Sequence, residues 1–268
     1  MEKIRTAAVA GFFYPDDPQV LTNSITQLLN QADVDNTLLP PKVIIAPHAG
    51  YIYSGITAAK VYKQLAPLHH IIKRVVIIGP AHRTAFTGLA LSDADFFDTP
   101  LGKVQIDKTN NDDLLMLEDV NLFEQAHLEE HSLEVQLPFL QQLLEHFSII
   151  PIVAGHKSTN LVENAIETLW GGNETLIVIS SDLSHFHDYM TAQHIDAETS
   201  HAILNFDFNS IGPKEACGCY AINGLLKFAQ HHPLDVSLID LRNSGDTAGD
   251  HNRVVGYGSY LFHEKQPC

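Results

Sequence analysis

Histidine and aspartate residues stand just after three apolar runs of the sequence that have the length of β-strands. His48 follows the first of these runs, His82 follows the second, and Asp182 and His185 follow the third. In open α/β sheets the ligand crevice lies outside the carboxyl ends of the strands, so polar side chains at these positions converge. The sequence therefore predicts that imidazole and carboxylate groups from distant segments meet at one edge of a sheet.

These side chains are donors that a transition metal accepts. Two neutral imidazoles and one carboxylate form the facial set that suits non-haem Fe(II), and zinc accepts the same donors. We interpret His48 and His82 as the first two ligands, and the pattern leaves Asp246 and Asp182 open as the third. His185 then remains as the group that takes and returns a proton, because the pKa of histidine lies near neutral pH.

A competing motif lies between these segments. The residues from His127 to His131 fit the pattern H-x-x-E-H, in which two histidines about one helical turn apart hold zinc and the glutamate activates water. This pattern is typical of zinc hydrolases. The residues behind it favour a helix entry instead, because Ser132 is typical of an N-cap and an apolar stripe begins after it. We keep the zinc hydrolase as the weaker alternative, and His131 alone stays a candidate to face the crevice.

The elements that must position these side chains alternate along the chain. Short apolar runs and amphipathic stretches predict an α/β fold with a mostly parallel central sheet flanked by helices, and no linker divides residues 1–268, so we predict a single domain. The predicted strands are 42–46, 74–79, 88–92, 103–106, 148–153, 175–180, 236–241 and 254–262. The predicted helices are 18–31, 54–65, 111–117, 132–147, 160–169, 190–206 and 214–231, with Pro138 marking a kink or a later start of the fourth.

The composition excludes two classes of partner. The chain has 16 Lys and Arg against 32 Asp and Glu, so its formal net charge is −16 with the 16 histidines neutral. This charge attracts neither phosphate backbones nor anionic lipid, and no apolar run approaches the roughly 20 residues that span a bilayer. We therefore expect a cytoplasmic protein that binds neither nucleic acid nor membrane. The cysteines, Cys217, Cys219 and Cys268, cannot form a disulfide framework, and composition alone predicts incidental thiols.

Six short motifs are spread over nearly the whole chain. They are 10–15 (AGFFYP), 46–51 (APHAGY), 79–82 (GPAH), 130–134 (EHSLE), 180–185 (SSDLSH) and 216–218 (ACG). In combination they resemble the Memo family, whose bacterial and archaeal members are called AmmeMemoRadiSam system protein B. The resemblance implies a fold similar to that of the class III extradiol ring-cleavage dioxygenases, which are non-haem iron enzymes.

The resemblance implies roles for individual residues. His48 and His82 match the two metal-binding histidines of the family. His185 matches the acid/base histidine of the dioxygenases, and His131 matches a further histidine of the crevice. Asp182 stands shortly before His185 in the same motif, and we expect it to orient that imidazole. The catalytic residues that we expect are therefore His185, His131 and Asp182.

The resemblance also implies a third ligand other than a carboxylate. Animal Memo proteins resemble this chain at Cys217, with a metal-binding cysteine where the dioxygenases place a glutamate. The predicted helix 214–231 holds Cys217 in its first turn, where the helix dipole favours a thiolate. A soft thiolate widens the candidate metals from iron to copper and zinc. We expect Cys217 to complete the ligand set of the two histidines, with Asp246 as the alternative.

The function that the resemblance implies is a non-haem metal centre, with Fe(II) as the first candidate ion. Such a centre would carry out an oxygen-dependent or redox step on a small molecule. The resemblance implies the metal site more firmly than it implies ring cleavage, so whether the chain is an enzyme stays open. The alternative is a non-catalytic protein that binds a metal or a peptide in the dioxygenase-like pocket. Family context also implies a radical-SAM protein and a third family protein as partners.

Overall fold

A computed structural model describes residues 2–35 and 37–265, so Cys268 lies outside the described residues. It confirms the predicted α/β class with one large, mostly parallel sheet. The strands are β1 (Ile4–Arg5), β2 (Val43–Ala46), β3 (Arg74–Pro80), β4 (Leu89–Leu91), β5 (Phe96–Thr99), β6 (Gly102–Ile106), β7 (Val120–Leu122), β8 (Ser148–Ala154), β9 (Thr175–Ser180), β10 (His185–His187), β11 (Leu234–Asn243) and β12 (Val254–Glu264). The helices are α1 (Pro18–Asn30), α2 (Tyr51–Lys63), α3 (Asn111–Leu115), α4 (Gln125–Leu128), α5 (Leu137–Leu143), α6 (Thr159–Leu169), α7 (Tyr189–Leu204) and α8 (Cys219–Phe228).

Parallel strands form the centre of the sheet, in the order β6, β8, β3, β9 and β2. Four of them, β2, β3, β8 and β9, consist mainly of Val and Ile and are buried along nearly all of their length. Strands covered on both faces have continuous apolar sequences, which explains why the sequence predicts them well. β12 extends the sheet by pairing antiparallel with β2, and β11 and β10 pair antiparallel with β12.

Helices cover both faces of this sheet. α1, α2 and α5 contact one another over a core that includes Leu21, Tyr62 and Phe139. α6 and α8 contact each other over the second core, which includes Val162 and Leu225. Among the described residues, no helix combines the length and the apolar character needed to cross a membrane. Because helices cover both faces of the sheet, polar side chains from several strands can meet at the two ends of the parallel strands.

The structure corrects two predicted helices beside the site. In place of the predicted helix 132–147 it has a 3₁₀ turn at Glu134–Gln136, followed by α5. Pro138 lies in the first turn of α5, so the proline marks the later start. The predicted helix 214–231 begins only at Cys219, with Gly218 as its N-cap. Cys217 therefore precedes the helix, and the prediction that a first helical turn favours its thiolate is wrong.

Candidate metal centre

The carboxyl ends of β2, β3 and β9 open into a cleft of about 790 Å³. His48 follows β2, His82 follows β3, and Asp182 and His185 follow β9, and all four side chains line the cleft. His131 reaches the same cleft from the segment between α4 and α5. The strands run parallel, which is why residues so distant in sequence meet at one edge.

Three imidazoles at the base of the cleft form a group that could hold a metal ion. His48, His82 and His131 each offer a donor nitrogen, and these nitrogens lie within 4.8 Å of one another. The His82 and His131 rings stack with centroids 4.5 Å apart, and the His48 ring stands edge-on to both, at 5.1 and 5.3 Å. Neutral imidazole is a ligand that zinc, copper and iron all accept.

A buried hydroxyl determines which nitrogen of His48 is free. The Ser180 hydroxyl donates its one hydrogen to the carbonyl oxygen of Ser132 at 2.6 Å. It must therefore accept from its other two neighbours, Gln136 Nε2 at 2.8 Å and His48 Nδ1 at 2.8 Å. His48 consequently carries its proton on Nδ1, and its Nε2 has the lone pair that a metal needs.

The orientation of Gln136 is fixed in turn by its own partners. Its Nε2 also donates to the carbonyl oxygen of Pro47 at 3.1 Å, and a carbonyl only accepts. The Tyr62 hydroxyl donates to Gln136 Oε1 at 2.8 Å. All of these side chains are buried away from solvent. Tyr62, Gln136 and Ser180 thus form a buried hydrogen-bonded chain that ends on His48.

Glu130 holds His82 in the corresponding way. Its Oε1 lies 2.8 Å from His82 Nδ1, and its Oε2 accepts the backbone amide of His82 at 2.6 Å. Burial disfavours ionisation of this carboxyl, but the hydrogen bonds and charges of His82 and the charge of His131 outweigh it and lower the pKa of Glu130 to about 2. The ionised carboxylate only accepts, so His82 is protonated on Nδ1 and its Nε2 is free.

Burial keeps the other two imidazoles neutral. Burial, followed by the charge of His82, lowers the pKa of His48 well below its usual value. Burial, followed by the charge of His48, lowers the pKa of His131 to about 3. His131 Nδ1 is buried and forms no hydrogen bond among the described residues, and Glu130 Oε1 lies 3.4 Å from it. A bound ion or its water would satisfy this nitrogen.

The sequence comparisons identify the family. The family model described as Memo-like protein matches residues 5–261. The chain belongs to the Memo family. A MEMO1 family protein of Aquifex aeolicus is 35% identical over 271 residues, which cover 97% of this chain and 99% of the relative. A MEMO1 family protein of Thermoplasma acidophilum is 33% identical over 269 residues, which cover 96% and 98%. The dioxygenase-like fold of the Memo family agrees with the mostly parallel sheet seen here.

Cys217, expected from the sequence as the third ligand, lies beside His48. Cys217 Sγ is 3.3 Å from His48 Nε2 and also accepts the backbone amide of Asp182 at 3.3 Å. Burial and the charge of Asp182 raise the pKa of the Cys217 thiol. The thiol hydrogen has two acceptors within reach, His48 Nε2 at 3.3 Å and the carbonyl oxygen of Asp182 at 3.6 Å. Cys217 does not line the open cleft, unlike His131.

Asp182 contacts the backbone more than it contacts His185. Its Oδ1 accepts the amides of His48 at 2.8 Å and Ala49 at 3.3 Å, and its Oδ2 lies 3.9 Å from His48 Nε2. Burial raises its pKa. His185 Nδ1 donates instead to the carbonyl oxygen of Leu183 at 2.8 Å, which leaves His185 Nε2 free. The expectation that Asp182 orients His185 is therefore not met: a backbone carbonyl does so.

Two other sequence-based candidates have different roles. Asp246 uses both carboxylate oxygens, since it accepts the amide of Asn243 at 2.8 Å in a capping box and the Tyr189 hydroxyl at 2.5 Å. It does not line the cleft. The H-x-x-E-H pattern is not one helix, because α4 ends at Leu128. His127 is buried and its Nε2 donates to the carbonyl oxygen of Ala90 at 3.1 Å, so the zincin arrangement does not form.

Sequence reasoning missed the residues that hold the imidazoles. Ser180 is the last residue of a predicted strand, Glu130 belongs to the rejected zincin pattern, and Gln136 lies in a segment predicted as continuous helix. Ser180 is a polar residue at the end of an otherwise apolar strand, and this position could have identified it as a candidate site residue. Nothing in the local sequence identifies Gln136, since its role depends on contacts with β2 and β9.

Proposed function

We propose that this Memo-family protein binds a redox-active ion, Fe(II), in the cleft and uses it in an oxygen-dependent or redox step on a small molecule. The observation that carries the proposal is the group of His48, His82 and His131, with donor nitrogens within 4.8 Å of one another. Two of these imidazoles have Nδ1 engaged by buried partners, as ligating histidines usually do. An Fe(II) ion held on one side by protein donors keeps positions open for oxygen and substrate.

We propose His48, His82 and Cys217 as the ligands. A nitrogen and a sulfur bound to one ion would stand about 3.1 Å apart at a right angle and about 3.6 Å apart at a tetrahedral angle, given bond lengths near 2.1 and 2.3 Å. The 3.3 Å between His48 Nε2 and Cys217 Sγ supports this pair. His131 is the competing third donor, because the group of donor atoms within 4.8 Å of one another contains His131 and does not contain Cys217. Metal binding through Cys217 would release the thiol proton.

His185 is the residue that we propose as the general acid and base. It lines the cleft, its Nδ1 is engaged by Leu183, and its Nε2 is available to exchange a proton with a bound molecule. Arg253 also lines the cleft, with its guanidinium 5.0 Å from the centre of the Phe186 ring. A guanidinium beside aromatic surface suits an anionic organic ligand, so we propose that the small molecule carries a carboxylate or phosphate.

A non-catalytic binding protein is the second candidate function. The exposed aromatic ring of Phe12, at 88% exposure, stands at the rim of the open cleft. Apolar side chains that line a cleft contact a bound ligand such as a peptide whether or not turnover follows. Oxygen consumption separates the two candidates: uptake with a catechol or thiol supports the enzyme, and silence across such a panel supports binding without turnover.

Metal analysis after anaerobic purification tests the site itself. We expect close to one iron per chain in the wild-type protein and none in a folded His48→Ala/His82→Ala variant. Stoichiometric iron in that variant would refute the site. Cys217→Ala should weaken iron binding more than Asp246→Ala, which serves as the matched control. If His131→Ala weakens binding and Cys217→Ala does not, the third ligand is His131.

A further inference from the structure

A second cluster of metal-ligating side chains lies at the amino ends of the parallel strands, at the opposite end of the sheet from the cleft. His69 and His70 stand just before β3, after a short 3₁₀ turn, and Glu145 stands between α5 and β8. β3 and β8 are parallel neighbours that pair from their first residues onward. Both connections therefore lie at the amino ends of these strands, whereas the cleft lies at the carboxyl ends.

The donor atoms of this cluster are already close together. Those of His69, His70 and Glu145 lie within 4.8 Å of one another. The two imidazole centroids are 3.6 Å apart, and His70 Nδ1 is 2.8 Å from Glu145 Oε2. His69 donates from Nδ1 to the carbonyl oxygen of Ala66 at 2.9 Å, so its Nε2 carries a lone pair. The amide of Glu145 donates to the carbonyl oxygen of His69 at 3.4 Å, which couples the two connections.

We propose that His69, His70 and Glu145 form a second metal site, which binds a divalent ion of the Zn²⁺, Ni²⁺ or Cu²⁺ type. Two imidazoles and a carboxylate are donors that these ions accept. His70 and Glu145 are exposed, so the ion enters directly from solvent and water completes its coordination. A bound ion joins the connection before β3 to the connection before β8, and it therefore stabilises the fold.

The chain contains a matched comparison at His231 and His232. This is also a consecutive histidine pair beside a glutamate, with His232 Nε2 2.6 Å from Glu167 Oε2. The His232 ring stacks on Phe228 with centroids 3.9 Å apart. Among the described residues, His231, His232 and Glu167 do not bring three donor atoms within 4.8 Å. The proposal therefore depends on the third donor and not on histidine pairing as such.

Zinc titration of the chelator-stripped protein tests the proposal. The wild-type chain should bind one equivalent of Zn²⁺ that a His69→Ala/His70→Ala variant has lost. A His231→Ala/His232→Ala variant, which removes as many surface imidazoles, should bind as much Zn²⁺ as the wild type. The proposal is overturned if both variants lose zinc equally, or if neither does.

Two further measurements separate this site from the cleft. The His48→Ala/His82→Ala variant should keep the surface equivalent, and added Zn²⁺ should raise its unfolding midpoint. Glu145→Gln in the same background keeps the side-chain shape, removes the negative charge and should abolish that rise. A cleft variant that binds no Zn²⁺ contradicts the second site, and this result does not depend on whether the cleft binds iron.

Discussion

Hydrogen bonds to Nδ1 decide which nitrogen of each cleft imidazole can bind a metal or exchange a proton. His48 uses Ser180, His82 uses Glu130, and His185 uses the carbonyl oxygen of Leu183. Three chemically different acceptors give the same result, an imidazole with a free Nε2. The tautomer of each cleft imidazole is therefore set by a group that hydrogen-bonds to its Nδ1.

Removal of the Ser180 hydroxyl should allow His48 to adopt either neutral tautomer. In Ser180→Ala, His48 Nδ1 loses its acceptor, so we expect a mixture of tautomers and iron binding weaker by about 10-fold to 100-fold. Nitrogen NMR shifts of the His48 imidazole in the metal-free protein report the tautomer directly. Ser259→Ala is the control, because the buried Ser259 hydroxyl has no hydrogen-bond partner among the described residues. An unchanged His48 tautomer in Ser180→Ala would contradict this assignment.

Replacement of His185 should separate proton transfer from metal binding. His185→Gln should keep iron occupancy near that of the wild type, because the three proposed ligands are untouched. Any turnover should fall by about 100-fold or more, since a positioned acid/base group contributes at least that much. Iron content and oxygen uptake on the same sample check both statements. Loss of iron in His185→Gln would show that His185 is a ligand.

At the scale of elements, the close packing of α8 against α6 depends on Gly224 of α8. A Cβ atom built at Gly224 would lie 2.5 Å from Val162 Cβ and 2.9 Å from the backbone oxygen of Thr159, and both residues belong to α6. These atoms belong to rigid parts of the neighbouring helix. At Gly55 of α2, the nearest atom is a terminal methyl carbon of Leu28, at 2.8 Å, which can move aside.

Alanine should therefore have unequal effects at these two helical glycines. On helix propensity alone, Gly→Ala stabilises a helix by about 1 kcal/mol. We expect Gly224→Ala to lower the free energy of unfolding by about 1–3 kcal/mol, because overpacking a rigid interface outweighs propensity. Gly55→Ala should be clearly less destabilising. Urea unfolding of both variants measures the difference, and equal effects would contradict the packing argument.

At the scale of the whole molecule, buried neutral histidines tie stability to pH. Burial, partly offset by the hydrogen bond to Ala90, lowers the pKa of His127 to about 4, against about 6.5 in an unfolded chain. Between these values the unfolded state binds more protons than the folded state. The contribution of His127 to stability is therefore complete above pH 6.5 and is lost as the pH falls towards 4.

The variant His127→Gln should flatten this part of the pH profile. Glutamine keeps an N–H donor for the carbonyl oxygen of Ala90 but does not titrate. We expect the loss of unfolding free energy between pH 6.5 and 4 to shrink by up to about 3 kcal/mol relative to the wild type, as the pKa shift implies. Urea unfolding with a chelator present measures it across that range. A parallel profile for wild type and variant would show that His127 titrates normally.

The sequence predicted the central sheet well and its short additions poorly. β2, β3, β8 and β9 are apolar throughout, because both faces are covered, so their sequences identify them without tertiary information. β1, β5, β7, β10 and α4 were missed, because they have two to four residues and lack both a period and the continuous apolar sequence that identifies β2. β10 exists through its pairing with β12, a contact between distant segments.

By itself, the sequence determined the fold class and the Memo family. It also placed His48, His82, Asp182 and His185 at strand ends, because parallel strands carry residues after their carboxyl ends to one edge. Through the family resemblance it placed His131 in the crevice as well. The tertiary structure alone decided how closely His131 approaches two of these imidazoles and that Asp246 is engaged in a cap. It also decided which nitrogen of each imidazole is free. These features depend on distances and hydrogen bonds between segments far apart in the chain, and no local pattern encodes them.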